Sequence, residues 1–305
     1  MWEALARKAG DKNATRARRL QSVSLAMLLT AQLPPVWFVL LVGIFTYMYH
    51  TAPVIPWFFA LLGLDVVLVS AWPVTVPARH WTRWELLPMF AGLGAIVLGI
   101  LLGIPNSTTM EPWIHVNQLR RHSDVLPTWD PRLAADAGIL HFAAGAALDV
   151  GASAGFQAWP HTYCAAPVVD NSTGDAGDAD PVGFFAVGVD CCDRRGGFTC
   201  DGAEDPDVRT AVRVSPHGPR DFWSWQQAGA NFRRAALMSA AANGREVREP
   251  VVLLIWTKDP GSLANTAWWT ATGAFLGSIV VAALWCTLGT WKLWTDSRDS
   301  DPDRN

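Results

Sequence analysis

Apolar residues along this chain gather into long runs, and four of the runs approach the length that a membrane helix needs. A hydrocarbon core about 30 Å thick takes roughly 20 helical residues to cross. Runs over 35–49, 53–74, 86–104 and 267–291 predict spans by that measure. The first is the shortest. A further apolar stretch over 23–33 precedes it, and Pro34 and Pro35 separate the two, because proline lacks the N–H donor and its ring crowds the preceding turn. The reading is one kinked span entered through an interfacial segment. Two separate spans are the alternative, and would reverse the sidedness of everything downstream.

After Ile104 the pattern changes, with Pro, Gly and Asp frequent and the long runs gone. Short apolar stretches over Ile139–Val150 predict a hairpin or bent strand around Gly145, and Phe184–Val189 (FFAVGV) predicts a buried strand. From Pro219 to Asn243, Phe222, Trp225, Ala228, Phe232, Ala235 and Ala236 fall at helical spacing, with Gly244 just past the end. Val251–Trp256 then predicts a central strand that stops before Asp259 and Pro260. The expected fold is a four-helix transmembrane bundle with an inserted, disulfide-bonded α+β extracytoplasmic domain. Its parts are a basic cytoplasmic N-terminus (1–22), spans one to three (within 23–104), the domain (105–266), span four (267–291) and a cytoplasmic tail (292–305).

Composition supports a membrane protein: half of the residues are apolar, 17% are charged, and several of the seventeen Trp stand at the ends of apolar runs, where the headgroup layer favours an amphipathic ring. A formal charge of −3 and the lack of a basic stripe argue against nucleic acid as a partner. Orientation follows from local charge. Arg7, Lys8, Lys12, Arg16, Arg18 and Arg19 precede the first span, which places the N-terminus in the cytoplasm. The first span is too long for a signal peptide and ends in bulky aromatics, so it reads as an uncleaved anchor. Counting across the spans puts Arg79 and Arg83 in a cytoplasmic loop, 105–266 outside, and the tail from Lys292 back inside.

Cysteine placement agrees with that count. Cys164, Cys191, Cys192 and Cys200 fall in the outside segment, where disulfides persist, and Cys286 lies in the fourth span. Adjacent residues on an extended segment face opposite ways, so Cys191 and Cys192 should take separate partners from Cys164 and Cys200, in either of two pairings. N-glycosylation sequons stand outside at Asn106 and Asn171, Asn106 being close to the bilayer, while Asn13 stays in the cytoplasm.

Within the spans, Ala91, Ala95, Gly99 and Gly103 recur every four residues, as do Gly273 and Gly277 in the fourth beside Ala274, Ser278 and Ala282. Small residues at that spacing let two helices approach closely, so spans three and four are expected to pair along these stripes. Asp65 is the one ionisable residue near the middle of any span. It is expected to act as hydrogen-bonding glue within or between protomers, with a proton or cation pathway as the alternative.

Three patterns in the outside segment bear on chemistry. Gly151-Ala152-Ser153-Ala154-Gly155 fits the nucleophile-elbow pattern, but Trp159 and Pro160 follow where a helix should be, so a small-residue loop is the better reading. Asp170, Asp175, Asp178 and Asp180 lack the spacing of a calcium-binding EF-hand and read as a solvated loop. His115, His122, His141, His161 and His217 show no metal-ligand spacing, and no cofactor is expected.

The topology is similar to that of tetraspanins: four spans, a large outer loop between the last two, and adjacent cysteines in it. Asp193 follows the cysteine pair where tetraspanins carry glycine, and the first outer loop is much shorter. A closer resemblance covers 140–260. Tyr163-Cys164-Ala165-Ala166-Pro167, Phe185-Ala186-Val187-Gly188-Val189-Asp190-Cys191-Cys192, Phe198-Thr199-Cys200 and Trp256-Thr257-Lys258-Asp259-Pro260 resemble multi-pass membrane proteins of dinoflagellate type. That resemblance implies a membrane setting and brings no activity or substrate with it. The expected function is a non-enzymatic recognition or scaffolding module of the plasma membrane or an endomembrane. Its partners would be the lipid bilayer and either a protein bound through the outside domain or a second copy. A transporter or channel subunit using Asp65 is the second reading, and a membrane-tethered enzyme the third.

Overall fold

The computed structural model describes residues 32–71, 83–171, 181–193, 196–214 and 228–299. The basic N-terminus, Asn13, Arg79, the 175–180 acidic stretch, His217, Phe222 and Trp225 lie outside them, as does most of the 23–33 run. Two compact units divide the chain, one from Pro105 to Thr272 and the other made of the segments on either side.

Among the described residues the flanking unit contains four helical segments. These are α1 (Gln32–Met48), α2 (Val54–Ala71), the first part of α3 (Arg83–Gln118) and the later part of α5 (Pro260–Asp299). Two stretches, Met89–Gln118 and Pro260–Trp291, are long and apolar enough to cross a membrane, while α1 and α2 are apolar but shorter. Pro34 and Pro35 fall in the first turn of α1, where a missing N–H costs nothing because those donors have no intrahelical partner.

Packing in this unit centres on α1, whose Leu41 and Phe45 are fully buried. Against α2, Phe45 meets Trp57 edge-on at 5.4 Å. Against α3, the small-residue stripe makes the contact: a Cβ on Gly99 would lie 2.8 Å from that of Leu41, and one on Gly103 would lie 2.5 Å from that of Phe45. Against α5, Tyr47 meets Phe275 edge-on at 5.8 Å. The expected pairing of the two stripes is therefore corrected at their glycines, although Ala95 does share a cluster with Ala282. Gly99 and Gly103 receive α1, whereas Gly273 and Gly277 face open space. The helix α5 enters instead through Phe275 and Ala282, which share a cluster with Phe38, Val42 and Ala95; Ala91 is half-buried. Gly103→Leu should thus cost about 1–3 kcal/mol by overpacking, while Gly273→Ala, whose Cβ would meet open space inside a helix, should carry no cost and a small gain. Denaturation of the two variants in the same detergent checks the contrast.

Among the described residues the sheet unit holds eight strands: β1 (Arg120–Val125), β2 (Ala137–Phe142), β3 (Ala146–Leu148), β4 (Ala154–Ala158), β5 (His161–Asp170), β6 (Val182–Val189), β7 (Thr210–Arg213) and β8 (Val247–Trp256). Their spatial order is β1-β2-β7-β8-β6-β5-β3, with β4 also paired to β5. The sheet is mixed: β1 with β2 and β6 with β8 are parallel, and the other pairs are antiparallel.

Strand order also requires the sheet to curl. Five inter-strand steps separate β2 from β3, about 24 Å across a flat sheet, yet the short link from Phe142 to Ala146 spans at most about 15 Å. The sheet closes partway round a core in which Phe142 meets Phe184 at 5.7 Å and Trp256 at 5.4 Å. The expected hairpin over 139–150 is corrected by the same fact, since β2 pairs with β7 and β3 with β5. Gly145, at φ +98°, turns the chain between them.

Both faces of the central strands are covered, which is why FFAV and LLIW read as continuous apolar runs. Phe184, Ala186, Val252, Leu254 and Trp256 face the curled interior. Phe185, Val187 and Leu253 face α4 (Ala228–Ala242), which seats Phe232, Ala235, Ala236 and Ala240 on the sheet. Gly244, at φ +63°, ends α4 where a left-handed residue is needed.

Helices α3 and α5 overrun the expected span limits of Ile104 and Ala267, running on to Gln118 and beginning at Pro260. Asp259 caps α5 by accepting from the N–H groups of Gly261 at 2.9 Å and Ser262 at 3.1 Å, with Pro260 in the first turn. Val116 of α3 and Ala264 of α5 pack with Ile139 and Val212 of the sheet.

Candidate functional site

Two residues, Trp159 and Pro160, join β4 to β5, with Ala158 paired to His161 across the turn. The apolar ring of Trp159 is left 84% exposed at that tip. Behind the tip, Thr162 and Asp190 exchange backbone and side-chain bonds. The Thr162 N–H donates to Asp190 Oδ1 at 2.8 Å, and the Asp190 N–H donates to the Thr162 carbonyl at 2.8 Å. Asp190 sits at φ +56°, a conformation that aspartate tolerates better than most residues. From there its carboxylate also reaches His161 Nδ1 at 2.7 Å.

Four cysteines of the sheet unit form two disulfides directly after this pair. Cys164 joins Cys192, and Cys191 joins Cys200, with Cα separations of 5.8 Å and 5.2 Å. Strand register explains how two bridges fit in so small a space. Cys164 lies between Gly155 of β4 and Gly188 of β6 in the paired strands. A Cβ on Gly155 would sit 3.0 Å from Cys192 Sγ, and one on Gly188 would collide with the sulfurs of both Cys191 and Cys200. The loop returns through Phe198, fully buried, whose N–H donates to Ser153 Oγ at 3.2 Å. On the other face, Arg234 lies over Phe156 at 5.5 Å and Tyr163 meets Phe232 edge-on at 5.2 Å.

Electrostatics here favour the charged carboxylate. The Thr162 N–H, and after it His161, hold Asp190 below the usual carboxylate range. Its contribution to stability is therefore present above about pH 4 and is lost as the pH falls through the depressed folded-state value. The side chains of His161 and Asp190 are 34% and 53% exposed, so a pair of this kind supplies only about 0.2–1 kcal/mol. Asp190→Asn should flatten the acid limb of a stability profile measured from pH 3 to 7, and leave the fold intact at pH 7.

The other candidate residues are placed as follows. Ser153 lies in the loop between strands β3 and β4, buried, and donates to the Val150 carbonyl at 2.6 Å. No strand-to-helix elbow exists there, and the small-residue reading holds. Asn106 is buried within α3 and donates to the Ala271 carbonyl at 2.9 Å. This corrects it as a glycan acceptor, because the amide nitrogen is shielded and engaged. Asn171 is exposed at the end of β5. Asp65 is exposed on α2. His115 Nδ1 lies 2.5 Å from the Arg213 carbonyl, His122 meets Asp136, and His141 meets Thr210. No group of three metal-ligating side chains occurs among the described residues.

Sequence reasoning missed two features. One is the tip itself, although Trp-Pro between two strand-like runs is a turn signal. The other is the ion pair in which Arg245, buried just after α4, reaches Asp149 Oδ2 at 2.6 Å across the fold; nothing local announces so distant a partner. An opening beside the first turns of α5, lined by Asp259, Ser262, Asn265 and Trp269, is bounded by that helix and its cap alone and encloses nothing. No family model, curated protein or solved structure matches the chain.

Proposed function

We propose that this is a four-span membrane protein that holds its sheet domain on the extracytoplasmic side as a recognition module, with the Trp159 hairpin as its contact surface. The exposed Trp159 on a hairpin backed by two disulfides carries the reading. Tryptophan is enriched among the few residues that dominate binding energy, and a tip held in place loses little entropy on binding. The side chains behind it are committed to holding it: the cysteines are bridged, His161 meets Asp190, and Ser153 is bonded to backbone.

The four-span part is supported by the two long apolar helices and by the apolar surfaces of the shorter ones. At 1.5 Å per residue, α1 and α2 reach about 26 Å, just short of a bilayer core. Leu276, Val280, Leu284 and Leu288 leave α5 apolar on its exposed side, as lipid contact requires. Asp65 faces outward on α2, so it lines no passage between the helices of one copy, which counts against the channel reading.

A photo-crosslinking amino acid placed at Trp159 in the full chain tests the proposal, with the exposed Leu133 as the control position. The expected result is a discrete adduct from position 159 in native membranes and none from 133. Equal or absent adducts at both positions would count against the hairpin as the contact surface.

A further inference from the structure

We infer that the outward face of α2 seats a second transmembrane helix, from a different protein, that carries a lysine or arginine in mid-span and pairs with Asp65. The inference rests on the four-span reading above. Val54, Phe58, Leu61, Asp65 and Leu68 follow one another at alternating steps of four and three along α2, and all are exposed. That spacing keeps side chains on one narrow stripe and is the seam along which two helices interlock. Asp65 falls within the stripe, with large apolar side chains before and after it.

Asp65 has no hydrogen-bond or ion-pair partner among the described residues, and a carboxylate in hydrocarbon is retained where something pairs with it. The described spans of this chain do not supply that partner. Segments 32–48, 54–71, 89–104 and 273–291 contain no Lys, Arg or His. The described spans of a second copy offer no cation either, and seated on the same stripe they would set one Asp65 against another. Two ionised carboxylates at that distance repel. Charge complementarity therefore selects a foreign span with a basic residue, whose ammonium or guanidinium would donate a charge-assisted hydrogen bond to the carboxylate. The apolar residues of the seam would supply the packing on either side.

The test uses the full chain in phosphatidylcholine vesicles and two synthetic transmembrane peptides. One is leucine throughout, about 20 residues long, and the other has a single central lysine. Association is read by energy transfer between labels on chain and peptide. The lysine peptide should bind about tenfold more tightly than the all-leucine peptide, Asp65→Asn should abolish the difference, and Asp65→Glu should retain it. Equal binding of the two peptides, or a preference that survives Asp65→Asn, overturns the inference. Self-association of the chain that disappears with Asp65→Asn also overturns it, since a second copy would then cover the face. An alkaline carbonate wash separates the two levels of failure. A chain stripped from the vesicles sinks the four-span reading and the inference together; a retained chain without lysine preference sinks the inference alone.

Discussion

Replacing both Cys164 and Cys192 with alanine should cost the sheet domain about 2–5 kcal/mol, which at this domain size lowers the unfolding midpoint by about 2–4 °C for each kcal/mol. Cys164 is fully buried in β5 and its bridge crosses 28 residues, against nine for Cys191–Cys200. Loop-closure entropy grows with the logarithm of that separation, so the longer bridge should be worth about 1 kcal/mol more than the shorter one. Removing both partners together avoids a stray thiol and isolates the bridge itself. Thermal unfolding of wild type and of the two double-alanine variants gives the ranking directly. A loss below about 1 kcal/mol for the Cys164–Cys192 variant would mean that the curled core alone holds this end of the sheet.

The second large effect is expected at Asp149. The Arg245 side chain is 4% exposed, and Asp149, 27% exposed, is the carboxylate it reaches. Asp149→Ala would take from a buried guanidinium the carboxylate that it reaches at 2.6 Å, and breaking a buried pair from one side costs about 3–5 kcal/mol. Asp149 Oδ1 also accepts from the Ala152 N–H at 3.0 Å, and the Ala152 carbonyl in turn takes Ser239 Oγ at 2.6 Å and Asn243 Nδ2 at 3.1 Å. The loop that α4 rests on would loosen with the pair. Asp149→Ala/Arg245→Met should recover most of the loss, because the charge is then gone from both sides. Chemical unfolding of the three variants measures this. A double variant as unstable as the single would place the cost in the lost Ala152 bond instead of in the broken ion pair.

Much of the fold was legible where local pattern and burial coincide. The strands over 184–189 and 251–256 and the helix that Gly244 ends all depend on short-range signals. The ends of α3 and α5 were not legible, because hydropathy records what a residue is and not what buries it. Beyond Ile104, α3 continues through Asn106, Ser107, Thr108 and Glu111, polar residues that the protein itself buries. Thr108 and Thr109 return their hydroxyls to the Pro105 carbonyl, which satisfies them inside the helix. Strand partners were equally hidden. Phe142 and Ala146 are close in sequence, yet they belong to strands that meet only because the sheet curls.

The disulfide site shows where such reasoning stops. Adjacency alone required separate partners for Cys191 and Cys192, but only the register of Gly155, Cys164 and Gly188 decides which partner each takes. The glycine stripe of α3 signals a close approach and suggests the fourth span as the neighbour, whereas the neighbour at Gly99 and Gly103 is α1. Trp159 was noted only as an obstacle to a helix, since exposure is a property of the folded chain.

Glycosylation mapping of the full chain in microsomes addresses the four-span arrangement most directly. With the sheet domain outside, the wild type should show a glycosidase-sensitive shift that Asn171→Gln abolishes and that Asn106→Gln and Asn13→Gln leave unchanged. A shift that survives Asn171→Gln and vanishes with Asn13→Gln would put the N-terminus outside and contradict the account.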